Sequence, residues 1–300
     1  MMNNIRRSLL YIPGNQPAII NNAGIYNADV IVFDLEDSIS IDEKDSARSL
    51  VKNAIINRKH LYNTNVEIMV RVNHLSTPFG AEDLEEIISV APDSIRIPKV
   101  ETAEELIKVH EIIEKLEKKY GIETKISTVA IIETLLGLHN IEEIVKSGFD
   151  RLSGLTLGAE DFTRDLGTER SVGGEELLYA REKLVFIAKL YNIDAIDTVF
   201  SNVIDLDALR VETQFIKKLG FTGKSAIHPS QVSEINSVFT PTAAEIENSV
   251  EILQAAAEAK EKGLGVIARH GRMIDLPVIK KSERIVNMAK NLGYFEEEGK

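Results

Sequence analysis

Charged side chains recur immediately after short apolar runs. Val30-Ile-Val-Phe33 leads into Asp34-Leu-Glu36-Asp37, and the run beginning at Glu67 carries Arg71-Val-Asn73. Further on, Ile97 is followed by Pro98-Lys99, Val129-Ala-Ile-Ile132 by Glu133, and Leu155-Thr-Leu157 by Gly158-Ala-Glu160-Asp161. Two or three carboxylates without histidine or cysteine make a hard oxygen site, suited to a Mg²⁺ that keeps several waters and also binds substrate. An arginine beside them can grip a carboxylate through two parallel hydrogen bonds. Each residue also has a structural reading: Asp34 to Asp37 as caps of the next helix, Asp161 as the N-cap before residues 162–166, Arg71 as an ion-pair partner. Glu133 argues for chemistry, because a lone carboxylate at the end of an apolar strand is costly without a cation nearby.

The spacing of apolar residues supplies the elements that must position these groups. It predicts strands at 8–12, 29–35, 67–73, 94–98, 125–132, 151–157, 194–199 and 223–227. Helical spacing lies between them, as in 104–120, where Leu106, Val109, Ile112, Ile113 and Leu116 share one face. Eight strands, each followed by a helix, predict an α/β chain folded as a (β/α)8 TIM barrel, with all the strand-end residues at one rim. A doubly wound open sheet is the alternative, but it more often has fewer strands and a nucleotide fingerprint. Beyond the eighth strand the pattern predicts a helix at 232–239, a long helix at 243–262, an irregular stretch at 263–277 and a last helix at 278–292. We expect residues 1–240 to form the catalytic barrel and 241–300 a C-terminal helical extension.

Composition removes several function classes. The 300 residues carry a net charge of −12, which repels phosphate backbones and anionic membrane surfaces, so neither nucleic acid nor membrane is an expected partner. With no cysteine, disulfides, cysteine-bound zinc and thiol nucleophiles are excluded. No run approaches the ~20 apolar residues of a membrane span, and residues 1–7 lack the apolar core of a signal peptide; a cytoplasmic globular protein is expected. Gly220-Phe-Thr-Gly-Lys-Ser225 ends like a phosphate-binding loop, but Lys218 stands where its first glycine belongs, and the segment runs from helix to strand. Gly263-Leu-Gly265-Val-Ile-Ala268 follows a helix, so both segments are expected to be turns. The six histidines form no i, i+4 pair, and there is no Gly-x-Ser-x-Gly elbow, which leaves a histidine zinc site or an acyl-enzyme without candidates.

Taken together, a series of short strings is recognisable: Arg7-Ser-Leu-Leu-Tyr-Ile-Pro-Gly14, Phe33-Asp-Leu-Glu-Asp37 with Glu43-Lys-Asp45, Val70-Arg-Val-Asn73, Ile97-Pro-Lys-Val-Glu101, Ile132-Glu133 and Leu157-Gly-Ala-Glu-Asp161. In this order they resemble the citrate lyase β-subunit family, within the wider HpcH/HpaI class of citramalyl/malyl-CoA lyases and metal-dependent aldolases. Leu178-Tyr-Ala-Arg181, Asp197-Thr198, Ile216-Lys-Lys-Leu-Gly-Phe221, Gly223-Lys-Ser225 and Met273-Ile-Asp-Leu-Pro277 extend the likeness along the chain. The resemblance implies that Glu133 and Asp161 hold Mg²⁺ and that Arg71 binds a substrate carboxylate. It also implies that Glu133, the Gly158-Ala159 backbone and Tyr11 contact substrate. An aspartate matching Asp275 acts in some CoA-dependent relatives as an acid/base reaching in from a neighbouring subunit. The extension 241–300 is accordingly expected to pack on such a neighbour, in a homo-oligomer whose core the family suggests is a trimer.

The implied reaction is cleavage of a citryl thioester to oxaloacetate and an acetyl thioester. Asp275, or water held by Glu36 or Asp37, would protonate the resulting carbanion. CoA-dependent relatives hold the coenzyme with lysines on the helix after the Pro-Gly turn, whereas residues 15–26 contain no basic residue. That looks like a β-subunit whose thioester arrives on an acyl-carrier protein, with citrate lyase α and γ subunits as partners. A free-standing citramalyl-CoA or malyl-CoA lyase is the rival of the same class. A catalytically silent assembly or metabolite-binding subunit is the rival of another.

Overall fold

The structure, a computed structural model, describes residues 5–62, 65–148, 150–171, 173–261, 267–269 and 272–295. They fall into two compact units, Arg6–Ser237 and the residues from Val238 onward together with Ile5. In the first, strands β1 (Ser8–Pro13), β2 (Val30–Asp34), β3 (Glu67–Arg71), β4 (Ser94–Ile97), β5 (Ser127–Ile132), β6 (Leu152–Leu157), β7 (Asp194–Asp197) and β8 (Gly223–Ala226) close in sequence order into a barrel. Every neighbouring pair is parallel, and β8 returns to β1. With helices between successive strands, the unit is a (β/α)8 barrel. Seven of these strands fall within their predicted runs, and β1 extends one residue beyond its own, to Pro13. The near-continuous apolar character of β2, buried at every position, is what a parallel strand between a filled interior and an outer helix layer requires.

Leu9, Val30, Val32, Met69, Val129 and Ile196 form a fully buried cluster, and Tyr11 packs against it. Below this plug the amino end is closed by charge. Arg6 donates from Nε and Nη2 to both oxygens of Glu67 (2.8 and 2.9 Å) and from Nη1 to Ser153 (2.9 Å) and Asp194 (3.3 Å). Ser94 adds a 2.6 Å bond to Glu67. Glu67, Ser94 and Asp194 are the first residues of β3, β4 and β7, so one arginine ties together strands far apart in sequence. The opposite rim is left for the site.

The helix predicted at 104–120 spans Ala103–Tyr120 and begins with a capping box: Thr102 accepts from the Glu105 N–H while Glu105 bonds back. Asp161 is not an N-cap, because its helix starts earlier, at Ala159, and places Asp161 in the first turn. The Gly220–Ser225 lookalike is a helix end, with Gly220 left-handed (φ 109°), followed by β8.

In the second unit a helix at Ala243–Glu261 packs on another at Leu276–Asn291. The stretch expected to be irregular instead holds antiparallel strands β9 (Ile267–Arg269) and β10 (Arg272–Ile274); residues 262–266 of the expected turn and helix end lie outside the described residues. The last helix starts at Leu276 rather than 278, because Asp275 caps it and Pro277 suits its first turn. Among the described residues no helix is long and apolar enough to cross a membrane.

His110, on the Ala103–Tyr120 helix, bonds Thr128 of β5 at 2.9 Å. Burial, then the charges of Arg151 and Lys125, push its pKa down to about 4. The unfolded chain therefore takes up this proton near the ordinary value of about 6.5, and the folded chain only near 4. Stability is full above 6.5 and falls by on the order of 2–3 kcal/mol as pH drops through that window. Denaturant melts from pH 7.5 to 4.5 should show a smaller loss in His110→Gln than in the wild type; equal pH slopes would refute it.

Candidate active site

At the carboxyl ends of β2 to β6 the barrel gathers most of the residues singled out in sequence. Asp34 ends β2 and is buried; its two oxygens accept from the backbone N–H groups of Glu36 (2.9 Å) and Ser38 (3.1 Å). Arg71, which ends β3, donates from Nε and Nη2 to the same carboxylate, both at 2.7 Å. The fork that the sequence assigned to substrate is thus engaged by Asp34. Nη1, 2.9 Å from Glu36 Oε2 and 3.4 Å from Asp37, remains on the outer edge. Burial works to raise the Asp34 pKa, but Arg71 and the N–H bonds overcome it and hold it below the usual range. Both the structural and the chemical reading of Arg71 have a place in this geometry.

Glu36 is buried and receives Lys99 Nζ at 2.5 Å. Its pKa is raised, first by burial and then by Asp37, against the pull of Arg71 and Lys99. Lys99, just past β4, has a positive φ of 50°, a conformation that non-glycine residues rarely adopt outside constrained sites. That turn points its N–H at Glu133 Oε1 (2.7 Å) while its amine reaches Glu36. Below them Lys44 is clamped by the carbonyls of Leu35 (2.8 Å) and Glu36 (2.7 Å) and by Asn73 (2.9 Å). Sequence reasoning noted Asp34 and Lys99 as strand ends without assigning them to the site, and gave Lys44 no role. The Ile97-Pro-Lys-Val-Glu101 string was the signal for Lys99.

Glu133 follows β5 and is only 4% exposed. Burial, and after it the charges of Glu36 and Asp161, push its pKa up to about 8 against the Lys99 N–H. A Cβ on Gly158 would lie 2.4 Å from Glu133 Oε2 and 2.5 Å from its Cβ, so glycine is what lets the backbone after β6 approach this carboxylate. Ala159 N–H donates to Thr198 Oγ1 (3.2 Å). Thr198 is held in turn by Lys224, which donates to its carbonyl (2.9 Å) and to Asp197 (2.8 Å). Asp161 ion-pairs with Arg164. Tyr11 leaves β1 with its ring 5.0 Å from the Arg71 guanidinium carbon. Asp275 belongs to the second unit, where it is exposed and accepts from the Val278 N–H (3.2 Å) as a helix cap.

Among the described residues no cluster of three or more histidine, aspartate or glutamate side chains forms a ready metal cage. The donor set still fits a hard divalent cation. Glu133 is a buried carboxylate whose charged form is disfavoured by two neighbouring carboxylates, and a cation there would reverse that cost. Mg²⁺ takes one or two protein carboxylates and fills the rest of its shell with water and substrate.

The family model described as HpcH/HpaI aldolase/citrate lyase matches residues 7–229. The chain belongs to the HpcH/HpaI aldolase/citrate lyase family. It is 42% identical to the citrate lyase subunit beta of Leuconostoc mesenteroides subsp. cremoris, over 99% of this chain and 98% of that one. It is 31% identical to the mitochondrial citramalyl-CoA lyase of Mus musculus, over 96% and 87% respectively. A solved structure of the citrate lyase beta subunit from M. tuberculosis, complexed with oxaloacetate and magnesium, superimposes with a TM-score of 0.66 at 25% identity. That match covers 79% of this chain and all of the other. Family membership makes the chain a carbon–carbon lyase.

Two variants test the local geometry. Asp34→Ala leaves the Arg71 guanidinium buried without its partner and should cost about 3–5 kcal/mol in denaturant unfolding; a change below about 1 kcal/mol would show that Glu36 and Asp37 replace it. Gly158→Ala should displace Glu133 and cost about 1–3 kcal/mol. A variant as stable and as active as the wild type would remove the close-approach argument.

Proposed function

We propose that this chain is the β-subunit of a citrate lyase, cleaving a citryl thioester to oxaloacetate and an acetyl thioester. Glu133 is the observation that carries the reading: a buried carboxylate beside Asp161 and Glu36 at a barrel rim, in a chain similar along its whole length to citrate lyase beta subunits. Glu133 and Asp161 would hold Mg²⁺. Bound there, the metal supplies Lewis-acid polarisation of the substrate oxygen that becomes the ketone of oxaloacetate.

The remaining work falls to the chain's own groups. Arg71 presents the outer edge of its guanidinium to a substrate carboxylate while Asp34 fixes the plane of that guanidinium, so the breaking C–C bond has one orientation. Gly158 and Ala159 let the keto-acid end lie against backbone. When the C–C bond breaks, its electron pair passes to the acetyl thioester as an enolate, and the hydroxyl proton passes to water as the ketone forms. The enolate carbon then takes up a proton, from water ordered by Glu36 and Asp37 or from Asp275 of a neighbouring copy. That second source requires a homo-oligomer in which the extension 241–300 packs across to the neighbour. The absence of basic residues in 15–26 favours a thioester carried on an acyl-carrier subunit, alongside the other citrate lyase subunits in the cytoplasm.

The test is turnover of citryl thioester on carrier protein and on CoA, each with Mg²⁺ and with a chelator. Chelation should abolish activity, and Glu133→Gln and Asp161→Asn should each lower kcat/KM by at least about 100-fold. Full activity in either carboxylate variant would remove the metal assignment. Faster turnover of citramalyl-CoA than of either citryl thioester would overturn the β-subunit reading in favour of a free-standing lyase.

A further inference from the structure

Arg96 lies inside the barrel and was assigned no role by the sequence. It sits on β4 directly opposite Arg71 of β3 in the parallel register, so the two side chains leave the sheet on the same face. The residues themselves differ in how they are paired. Arg71 is neutralised by the bidentate Asp34 contact. Arg96 is fully buried, with no exposed surface, and makes one side-chain hydrogen bond, from Nη2 to Ser225 Oγ at 3.1 Å. Among the described residues its Nε and Nη1 have no hydrogen-bond partner. The Tyr11 ring lies 4.9 Å from its guanidinium carbon, within the same reach as from Arg71.

A buried guanidinium with two unmet donors is costly, and packing of an aromatic face offsets only part of that cost. Among the described residues no carboxylate bonds to it, although Glu133 and Asp34 stand near enough for their charges to act on it. A structural arginine in a barrel interior would be paired as Arg6 is paired at the opposite end, where all three nitrogens donate to side chains. Nη2 carries two hydrogens and gives one to Ser225, so one edge of the fork, Nη2 with either Nε or Nη1, still offers two parallel N–H groups, the pair that an incoming carboxylate accepts.

We propose that Arg96 is a specificity-determining residue that receives the second carboxylate of the citryl group. The inference rests on the function proposed above and deepens it. Citryl and citramalyl thioesters share the carboxylate next to the reacting hydroxyl; they differ where citryl bears a carboxymethyl and citramalyl a methyl group. Their keto-acid products differ in the same way, oxaloacetate carrying a carboxylate that pyruvate lacks. Two adjacent arginines on one face supply one cation for the shared carboxylate and one for the additional one. A substrate without the second carboxylate leaves Arg96 unmet, which is how a polar site rejects the analogue.

The experiment titrates wild type and Arg96→Met with oxaloacetate and with pyruvate, in Mg²⁺, by calorimetry, and compares kcat/KM on citryl and citramalyl thioesters. Methionine nearly matches the buried volume, so the variant should fold; Arg96→Lys, which keeps the charge without the fork, is the second variant in case it does not. Oxaloacetate affinity should fall about 10- to 100-fold in Arg96→Met, with pyruvate affinity unchanged and the preference for citryl over citramalyl thioester lost. Arg96→Lys should fall between. Equal losses for both keto-acids, or none for either, would overturn the proposal, as would a wild type that binds pyruvate as tightly as oxaloacetate. A wild type that binds oxaloacetate through Arg96 but cleaves no citryl thioester would overturn the proposed function and leave the Arg96 site standing.

Discussion

Eight parallel strands that close on themselves must all end on one side, and that constraint makes the rim what it is. Asp34, Arg71, Lys99 and Glu133 are scattered along the chain, yet each leaves the barrel at the carboxyl end of its own strand. The apolar cluster around Val32, Met69 and Val129 fixes the strands against one another, and the Arg6–Glu67 contact closes the far end. The rim can then carry poorly compensated charge, because the groups that stabilise the barrel lie elsewhere.

Within the rim, pairing is uneven. Asp34 takes up Arg71, and Glu36 takes up Lys99. What remains is an excess carboxylate at Glu133 and an excess guanidinium at Arg96, both buried. Either group would be easier to accommodate if paired with the other's neighbours, and the barrel instead holds them on separate strands. Stored electrostatic cost of this kind is a signature of a site organised for something that arrives from outside.

The strand pattern was legible because parallel strands covered by helices read as short apolar runs of nearly fixed spacing, and so the barrel and its rim residues follow from the sequence. The pairing inside the rim was not. Spacing cannot say that Asp34 rather than substrate occupies the Arg71 fork, since that depends on how β2 and β3 align. Nor can it say that Lys99 adopts a positive φ to serve Glu133 and Glu36 together. Arg96 lies between two isoleucines in an apolar strand, where one charged residue reads as a lapse in the pattern. The hairpin of β9 and β10 was hidden for the opposite reason, because its three-residue strands are too short for periodicity to register.

The order of the strands turns this imbalance into a direction. β3, β4, β5 and β6 are consecutive around the barrel; the first two carry Arg71 and Arg96, and the next two lead into Glu133 and Asp161. With Arg71 neutralised by Asp34, the direction across the rim runs from the Arg96 guanidinium on β4 to Glu133 and Asp161 beyond β5 and β6. A ligand with carboxylates at one end and an oxygen able to bind a metal at the other has one favourable way to lie across it, and reversing it would set carboxylate against carboxylate. That reversal costs far more in a buried, low-dielectric site than in water. Orientation is thus imposed by field before any single contact forms, and the individual hydrogen bonds refine it.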